Sequence, residues 1–179
     1  MRLDTILYFD GGYLRTLIAK DVHDGYVNGL NDKQVNKYLD GTKHFQQTFQ
    51  SVEDYVITNE KSPNSILFGI WDAKSETHCG TVRLHGIELQ HFTAYIGICI
   101  FDKTVWGKGL GSRAISAITE WAMKELKIRW IEASIYSDNV ASQKVFLKSG
   151  YTWIFDIEDK FLLEGKPAKV KYFSAKKNN

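Results

Sequence analysis

The sequence predicts a mixed α/β fold: a mostly antiparallel, twisted sheet of about seven strands with about four helices packed against it. Three runs rich in Ile, Val, Phe, Trp and Tyr, separated by short turns, predict an antiparallel meander between residues 65 and 101. After residue 110 the apolar spacing changes to that of an amphipathic helix, and a strand and a second helix follow. Strands followed by alternating helices and strands are typical of a sheet covered by helices.

Length and composition limit the class of protein. The chain has 179 residues, which is within the roughly 100–200 residues of one domain, so we expect a single domain over residues 1–179. A net charge of +2 argues against a nucleic-acid partner, because such proteins present a broad basic surface. The apolar runs are too short for a membrane helix and the N-terminus lacks a signal-peptide pattern, so we expect a cytoplasmic protein without a membrane partner. Cys79 and Cys99 are then expected to be reduced, and they lack the spacing of metal ligands, so no metal is expected.

The first part of the chain predicts one strand and several helical pieces. Residues 13–18 read as a short strand, and residues 21–30 and 32–39 as two helices broken at a Gly-Leu-Asn stretch. Residues 41–47 are polar and read as a loop. A helix is predicted to start at Ser51, because Ser51 and Asp54 form a capping signal ahead of apolar residues at helical spacing.

The remaining elements follow from periodicity. The meander comprises residues 65–72, 78–88 and 91–101. An amphipathic helix over residues 112–126, a buried strand over 130–136 and a second helix over 139–149 come next. Gly150 is a typical C-terminal cap of that helix. Residues 151–157 and 169–174 are the last two strands and predict a hairpin.

The segment TVWGKGLGSR, residues 104–113, carries the strongest chemical signal. It leaves a hydrophobic strand and opens a helix, with glycines at 107, 109 and 111. Glycine lets backbone amides approach a ligand closely, and a helix N-terminus offers unpaired N–H groups, so the segment suits a pyrophosphate. It is neither a P-loop nor a dinucleotide fingerprint, and a glycine-rich turn without a ligand is also open on spacing alone. A second segment, SDNVASQKVFLKSGY at residues 137–151, reads by itself as a capped surface helix.

Together these two segments resemble the GNAT N-acetyltransferase superfamily, with the Rim-type ribosomal-protein alanine acetyltransferases as the most similar branch. The resemblance covers residues 93–151 and implies a GNAT-like fold that binds acetyl-CoA as cosubstrate. It implies that the amides of residues 108–112 hold the pyrophosphate within a loop formed by Trp106, Gly107, Lys108, Gly109, Leu110, Gly111 and Ser112. It also implies that the backbone of Ile98, Cys99 and Ile100 pairs with the pantetheine arm like an added strand.

The resemblance assigns roles on the second segment and shows two departures. Asn139 matches an asparagine that contacts coenzyme A, and Ser142 matches a serine three residues later that can hydrogen-bond the sulfur. Many relatives have a tyrosine seven residues after the asparagine as general acid, and that position here is Phe146. Rim-like enzymes often have a glutamate as base two residues before the glycine of the fourth strand, and that position is Tyr95, before Gly97.

A protonated amine must lose a proton before it attacks a thioester. Beside Tyr95, the candidate bases are His91, Glu88 and His44, or a chain of waters. Asp102 follows the fourth strand and is expected to shape the turn. Lys43, His44 and Phe45 lie where an acceptor loop is expected, and with Arg83 they would suit an anionic acceptor with a ring to stack, such as a nucleotide-linked amino sugar. A solvated loop with one anchoring aromatic is the alternative.

The leading hypothesis is therefore an acetyl-CoA-dependent N-acetyltransferase in which a primary amine attacks directly in a ternary complex. The acceptor is expected to be a small molecule such as an amino sugar, and the alternative is a protein N-terminus. A hypothesis of another class is a coenzyme A-binding sensor, which the departures at Phe146 and Tyr95 keep open. The resemblance also makes a homodimer a state to be tested.

Overall fold

In the computed structural model, which describes residues 6–177, eight strands form one sheet in the order β1-β2-β3-β4-β5-β6-β8-β7. The strands are β1 Leu7–Phe9, β2 Gly12–Thr16, β3 Ser65–Asp72, β4 His78–Glu88, β5 Thr93–Ile100, β6 Trp130–Tyr136, β7 Thr152–Leu163 and β8 Lys166–Lys176. The helices are α1 Asp24–Asn31, α2 Lys33–Asn36, α3 Asp40–Lys43, α4 Phe49–Lys61, α5 Leu110–Glu125 and α6 Val140–Lys148. Neighbouring strands are antiparallel except for β5 and β6, which run parallel. The predicted fold class is confirmed. Within residues 6–177, no helix has the length and apolar character needed to cross a membrane.

Several elements differ from the sequence prediction in extent. The strand β1, which pairs with β2, was not predicted, and the final hairpin is much longer than its apolar stretches suggested. Polar residues within β7 and β8 lie in the hairpin because their backbones pair across it. Residues 41–47, read as a loop, begin with the last residues of the one-turn helix α3. The predicted capping signal at Ser51 was displaced: α4 is capped by Thr48, whose side chain accepts from the Ser51 amide while the Ser51 hydroxyl accepts from the Thr48 amide.

Helices cover both faces of the sheet. α5 and α6 pack on one face around a core that includes Ile115, Ile118 and Phe146. α1 and α4 pack on the other face around a second core that includes Tyr26 and Val56. Because side chains alternate along a strand, each strand contributes alternate residues to each core. We call these two faces the α5–α6 face and the α1–α4 face.

The parallel pairing between β5 and β6 is short. It comprises Thr93 with Trp130, Ala94 with Ile131 and Tyr95 with Glu132, and the paired register ends there. β5 continues to Ile100 against β4, and β6 continues to Tyr136 against β8. The two strands therefore separate into a gap that opens toward their C-terminal ends. The loop before α5 leaves β5 at this open end, and the loop before α6 leaves β6 there.

Candidate active site

The glycine loop is held open by backbone conformations that other residues avoid. Gly107 and Gly109 have φ of +75° and +77°. Gly109 is the N-cap of α5 and offers no side chain to satisfy the first amides of the helix. The first helical hydrogen bond runs from the Arg113 N–H to the Gly109 carbonyl at 3.2 Å, so the amides of Leu110, Gly111 and Ser112 precede it. The positive end of the α5 dipole and these amides form a cradle suited to an anion.

Two side chains fix the loop. The Trp106 indole N–H donates to the Ile100 carbonyl at 3.0 Å, which ties the loop to the end of β5. The Arg113 guanidinium donates to the Asp10 carbonyl at 2.6 Å and to the Lys108 carbonyl at 3.2 Å, which ties the loop to the β1–β2 turn. The role of Arg113 was missed by the sequence analysis, although it stands one turn after Gly109 in the same motif. The Lys108 amide, expected to face the pyrophosphate, donates instead to the Val105 carbonyl at 3.4 Å.

The hydrogen bonds between β5 and β4 show which backbone groups of β5 point into the gap. The Phe101 amide donates to the Cys79 carbonyl of β4 at 3.1 Å. Since backbone groups alternate in direction along a strand, those of Cys99 point toward β4, and those of Ile98 and Ile100 point into the gap. Ile98 therefore presents both its N–H and its carbonyl to an extended ligand, and Ile100 presents its N–H, because the Ile100 carbonyl accepts from Trp106. The half-buried Cys99 thiol has a pKa raised by burial to about 12, so it is not a nucleophile at neutral pH.

The helix α6 starts beside the gap and is anchored there. The Asn139 side chain caps α6 by accepting from the Ser142 amide at 3.1 Å, and Ser142 lies half-buried in the first turn. A Cβ on Gly111 would lie 3.3 Å from Ile98 and 3.8 Å from Val145, so this glycine lets β5, α5 and α6 meet closely. Phe146 is 2% exposed and contacts the Tyr151 ring edge-on in the core. It does not point toward the gap.

On the α1–α4 face, side chains of three neighbouring strands meet where the gap closes. Tyr95 of β5 is opposite Glu132 of β6 on one side and opposite His85 of β4 on the other. The rings of Tyr95 and His85 stack with centroids 5.8 Å apart. The Glu132 Oε1 atom accepts from the Trp130 indole at 2.7 Å. Glu132 is a carboxylate that the sequence analysis did not single out, because only the strand register brings it beside Tyr95.

Arg83 of β4 lies on the same face as His85, two residues earlier in the strand. Its Cα is paired with that of Gly97, and its guanidinium donates to the Ser65 hydroxyl at 3.0 Å. The guanidinium also lies 5.9 Å from the centre of the Tyr55 ring on α4. Burial raises the pKa of the Tyr55 phenol, so this group is neutral and can donate a hydrogen bond. Arg83 and Tyr55 thus form a polar patch between β4 and α4.

The residues of the predicted acceptor loop have different surroundings in the structure: Lys43 is paired with a carboxylate, whereas His44 and Phe45 are exposed. The Lys43 ammonium pairs with the Asp40 carboxylate and lies 5.4 Å from the centre of the Tyr136 ring, so much of its charge is balanced within the chain. His44 is exposed, and Phe45 is 78% exposed. The Tyr136 hydroxyl donates to Asp40 at 2.7 Å, which fastens α3 to the C-terminal end of β6. His44 and Phe45 therefore stand on a segment held beside the open end of the gap.

Three further candidates lie in or next to turns of the sheet. His91 is exposed in the β4–β5 turn, and its carbonyl accepts from the Arg129 side chain at 3.1 Å. Glu88 is exposed at the end of β4 and accepts from the Gln90 amide at 2.8 Å. Both precede the closed end of the gap. Asp102 accepts from the Thr104 amide at 2.9 Å and caps a short 3₁₀ helix, as expected for a residue that shapes a turn.

Comparison with known proteins finds similarity to acetyltransferases. A family model described as "Acetyltransferase (GNAT) domain" matches residues 13–152. The uncharacterised N-acetyltransferase YoaA of Bacillus subtilis (strain 168) is 25% identical over 147 residues, which are 82% of each chain. The ribosomal L7/L12 α-N-protein acetyltransferase RimL, solved with coenzyme A, is 18% identical with a TM-score of 0.86, covering 96% of this chain and 98% of that one. The spermidine N-acetyltransferase of Vibrio cholerae, solved with CoA and spermine, is 19% identical with a TM-score of 0.82, covering 93% and 96%.

Proposed function

The chain belongs to the GNAT acetyltransferase family and is an acetyl-CoA-dependent N-acetyltransferase, and on that premise we propose that its acceptor is the primary amine of a small molecule with a ring face, such as a nucleotide-linked amino sugar. The observation that carries the proposal is the gap between β5 and β6, with an anion cradle at its open end and exposed aromatic rings near it. In this proposal the cradle and the gap bind the acetyl donor, and the rings bind the acceptor.

The donor half of the proposal rests on the α5 N-terminus and the β5 edge. The amides of Leu110, Gly111 and Ser112 hold the pyrophosphate, and the glycines leave room for it. The backbone of Ile98 and Ile100 pairs with the pantetheine arm within the gap. Ser142, on the α5–α6 side, hydrogen-bonds the departing sulfur. This arrangement leaves the acetyl carbonyl near the closed end, accessible from the α1–α4 face.

The acceptor half rests on rings and on the balance of charge. Tyr55, Tyr95 and Phe45 are 41%, 48% and 78% exposed, and such faces suit the apolar face of a sugar or a base. A polyamine would require a groove of unpaired carboxylates. Three carboxylates on this side are paired with cations instead: Asp21 with Arg15, Asp32 with Lys103 and Asp40 with Lys43. The charge balance therefore favours a small ring-bearing amine over a polycation.

A second acceptor is favoured by one observation. The β7–β8 hairpin extends to Leu163, and Phe155 and Leu162 on it are 44% and 58% exposed. The Leu162 carbonyl lies 3.2 Å from the Tyr136 hydroxyl, whose proton goes to Asp40, so the hairpin tip stands beside the gap. An extended peptide could lie along this ridge and present its N-terminal amine, which makes a protein N-terminus the alternative acceptor.

The test is thiol release from acetyl-CoA, followed with a thiol reagent and one acceptor at a time. The acceptors are nucleotide-linked amino sugars, free amino sugars, polyamines, and short peptides that start with Ala or Ser. We expect the highest kcat/KM with an amino sugar, and a lower value when Phe45 is replaced by Ala. The exposed Phe49→Ala is the matched control, since it removes an aromatic ring outside the predicted loop.

Any other order of activities would change the assigned acceptor. Highest activity with the peptides would replace the small molecule by a protein N-terminus. Highest activity with polyamines would contradict the reading of the paired carboxylates. No thiol release with any of the amines, with acetyl-CoA binding confirmed by calorimetry, would reject all three acceptor classes.

A further inference from the structure

We propose that Glu132 is the group that takes the proton from the attacking amine, so that the carboxylate absent at position 95 is supplied by the neighbouring strand. This inference rests on the proposed acetyl transfer and assigns one residue of that site. It starts from the strand register: Glu132 and Tyr95 are the last paired residues of β5 and β6 before the strands separate. Paired residues on adjacent strands are about 4.8 Å apart, and their side chains share a face.

The face on which Glu132 lies is fixed by its neighbours. Ile131 and Ala133, on either side of it, are buried in the core under α5 and α6. By alternation, Glu132 points to the α1–α4 face, as does Tyr95 between the core residues Ala94 and Ile96. A carboxylate on this face, at the closed end of the gap, is where an acceptor amine would arrive. Glu132 is half-buried, so it remains within reach of such an amine.

The hydrogen bonding of Glu132 suits a proton acceptor. Its Oε1 accepts from the Trp130 indole N–H at 2.7 Å, which orients the carboxylate and leaves Oε2 as the atom that takes the proton. The competing group is His85, which stacks on the far side of the Tyr95 ring on β4. β4 is one strand further from the gap than β5, so the Tyr95 ring stands between His85 and the incoming amine. Glu132 lies directly on the other border of the gap.

The position also fits the other proton transfer of the reaction. Ser142 is on α6, which packs against the α5–α6 face, whereas Glu132 is on the opposite face of the sheet. In a direct attack, the amine approaches the carbonyl carbon from one side and the sulfur departs from another side. A proton acceptor for nitrogen and a hydrogen-bond donor for sulfur on opposite faces therefore match the geometry that the chemistry requires.

The Glu132 carboxylate takes one proton from the ammonium group of the acceptor and becomes a carboxylic acid. The freed nitrogen lone pair forms the bond to the acetyl carbon, and the carbon–sulfur bond breaks with its electron pair on sulfur. The nitrogen then loses a second proton as the amide forms. One of the two protons ends on the sulfur and the other is released to solvent, so amine, thioester, amide and thiol are all accounted for.

The experiment compares variants with the amine that the wild type acetylates best. Glu132→Gln keeps an oxygen to accept from the Trp130 indole and removes the basic group. We expect kcat to fall at least 100-fold, in the range usual for general-base removal, while the Kd for acetyl-CoA changes less than threefold. Glu132→Asp should retain an intermediate kcat. Glu125→Gln, an exposed glutamate at the end of α5, is the control and should match the wild type.

A rescue variant separates proton transfer from a structural role. Tyr95→Glu in the Glu132→Gln background puts a carboxylate back on the opposite border of the gap, and we expect it to regain at least tenfold in kcat. Thermal unfolding and acetyl-CoA binding confirm that each variant is folded. Wild-type acetyl transfer supports the proposed function by itself, and the loss in Glu132→Gln alone supports this inference.

Two results would overturn the assignment while leaving the transferase activity intact. One is a kcat of Glu132→Gln within threefold of the wild type. The other is a 100-fold loss in His85→Gln that Glu132→Gln does not share, which would place the base on β4.

Discussion

The imidazole rings of His23 and His78 meet edge-on, with Nε2 of His23 3.3 Å from Nδ1 of His78. The Nε2 atom of His78 lies 2.9 Å from the Gly80 carbonyl, so it carries a proton and donates there. The Nδ1 atom of His23 accepts from the Tyr26 amide at 3.3 Å, so the His23 proton is on Nε2 and is donated to His78. These partners are satisfied only when both rings are neutral.

This pair predicts that the protein loses stability in mild acid. Burial, and then the neighbouring His23, lowers the pKa of His78 from 6.5 to about 3. The charges that face it are Asp21, which favours protonation, and Arg15, which opposes it. Because the folded pKa is below the unfolded one, the unfolded chain binds more protons between these values. The contribution is complete above pH 6.5 and falls by about 2 kcal/mol between pH 6.5 and 5.

The measurement is urea unfolding at pH 5.0 and pH 7.5. His78→Gln, which can still donate to the Gly80 carbonyl, should show a much smaller difference between the two pH values than the wild type. His44→Gln, at an exposed site, is the control and should keep the wild-type difference. An unchanged pH dependence in His78→Gln would place the acid sensitivity elsewhere.

Gly109→Asp should weaken acetyl-CoA binding by at least tenfold. At φ +77° any side chain is strained, a Cβ here would lie 2.8 Å from the Arg113 guanidinium, and the new carboxylate would repel a pyrophosphate. Calorimetric titration with coenzyme A measures the effect, and Gly41→Asp, where a Cβ would meet nothing within 4 Å, controls for the added charge. Wild-type affinity in Gly109→Asp would mean that the pyrophosphate binds elsewhere.

Ser142→Ala should lower turnover more than it weakens acetyl-CoA binding, by about tenfold in kcat against less than threefold in Kd. Its hydroxyl is proposed to stabilise the departing sulfur, whereas its amide, which bonds Asn139, is unaffected by the substitution. Steady-state kinetics combined with calorimetry make the comparison. Equal losses in both quantities would reduce Ser142 to a binding residue.

Phe146→Tyr should not speed the reaction, although a tyrosine is common at this position in related enzymes. Phe146 is 2% exposed in the core against Tyr151, so a new hydroxyl would be buried there. We expect a loss of about 1–3 kcal/mol in the free energy of unfolding and no gain in kcat. Chemical denaturation and steady-state assays would check both effects. A gain in kcat would show that position 146 reaches the sulfur after all.

Much of the local structure follows from the sequence. The period-two and helical spacings predicted β3, β4, β6, α5 and α6 to within a few residues, because each carries its own apolar face. The alternating glycines predicted the positive-φ turn and the open N-terminus of α5, since both are properties of a few consecutive residues. The extent of the final hairpin could not be predicted, because its polar stretch is held by pairing across the strands rather than by a local pattern.

The relationships between distant residues were decided only by the tertiary structure. Nothing near Glu132 in the sequence marks it, and it is separated from Tyr95 by 36 residues. The two become neighbours only because β5 and β6 pair in one register. The same is true of Lys43, whose charge is balanced by Asp40 and whose position depends on the contact of Tyr136 with α3. A one-residue change of register would turn Glu132 to the other face, so its place beside Tyr95 depends on how the whole sheet packs. The sequence determined the open, glycine-rich N-terminus of α5, because it depends on a few consecutive residues, and the packing of the strands decided which side chains meet where β5 and β6 separate.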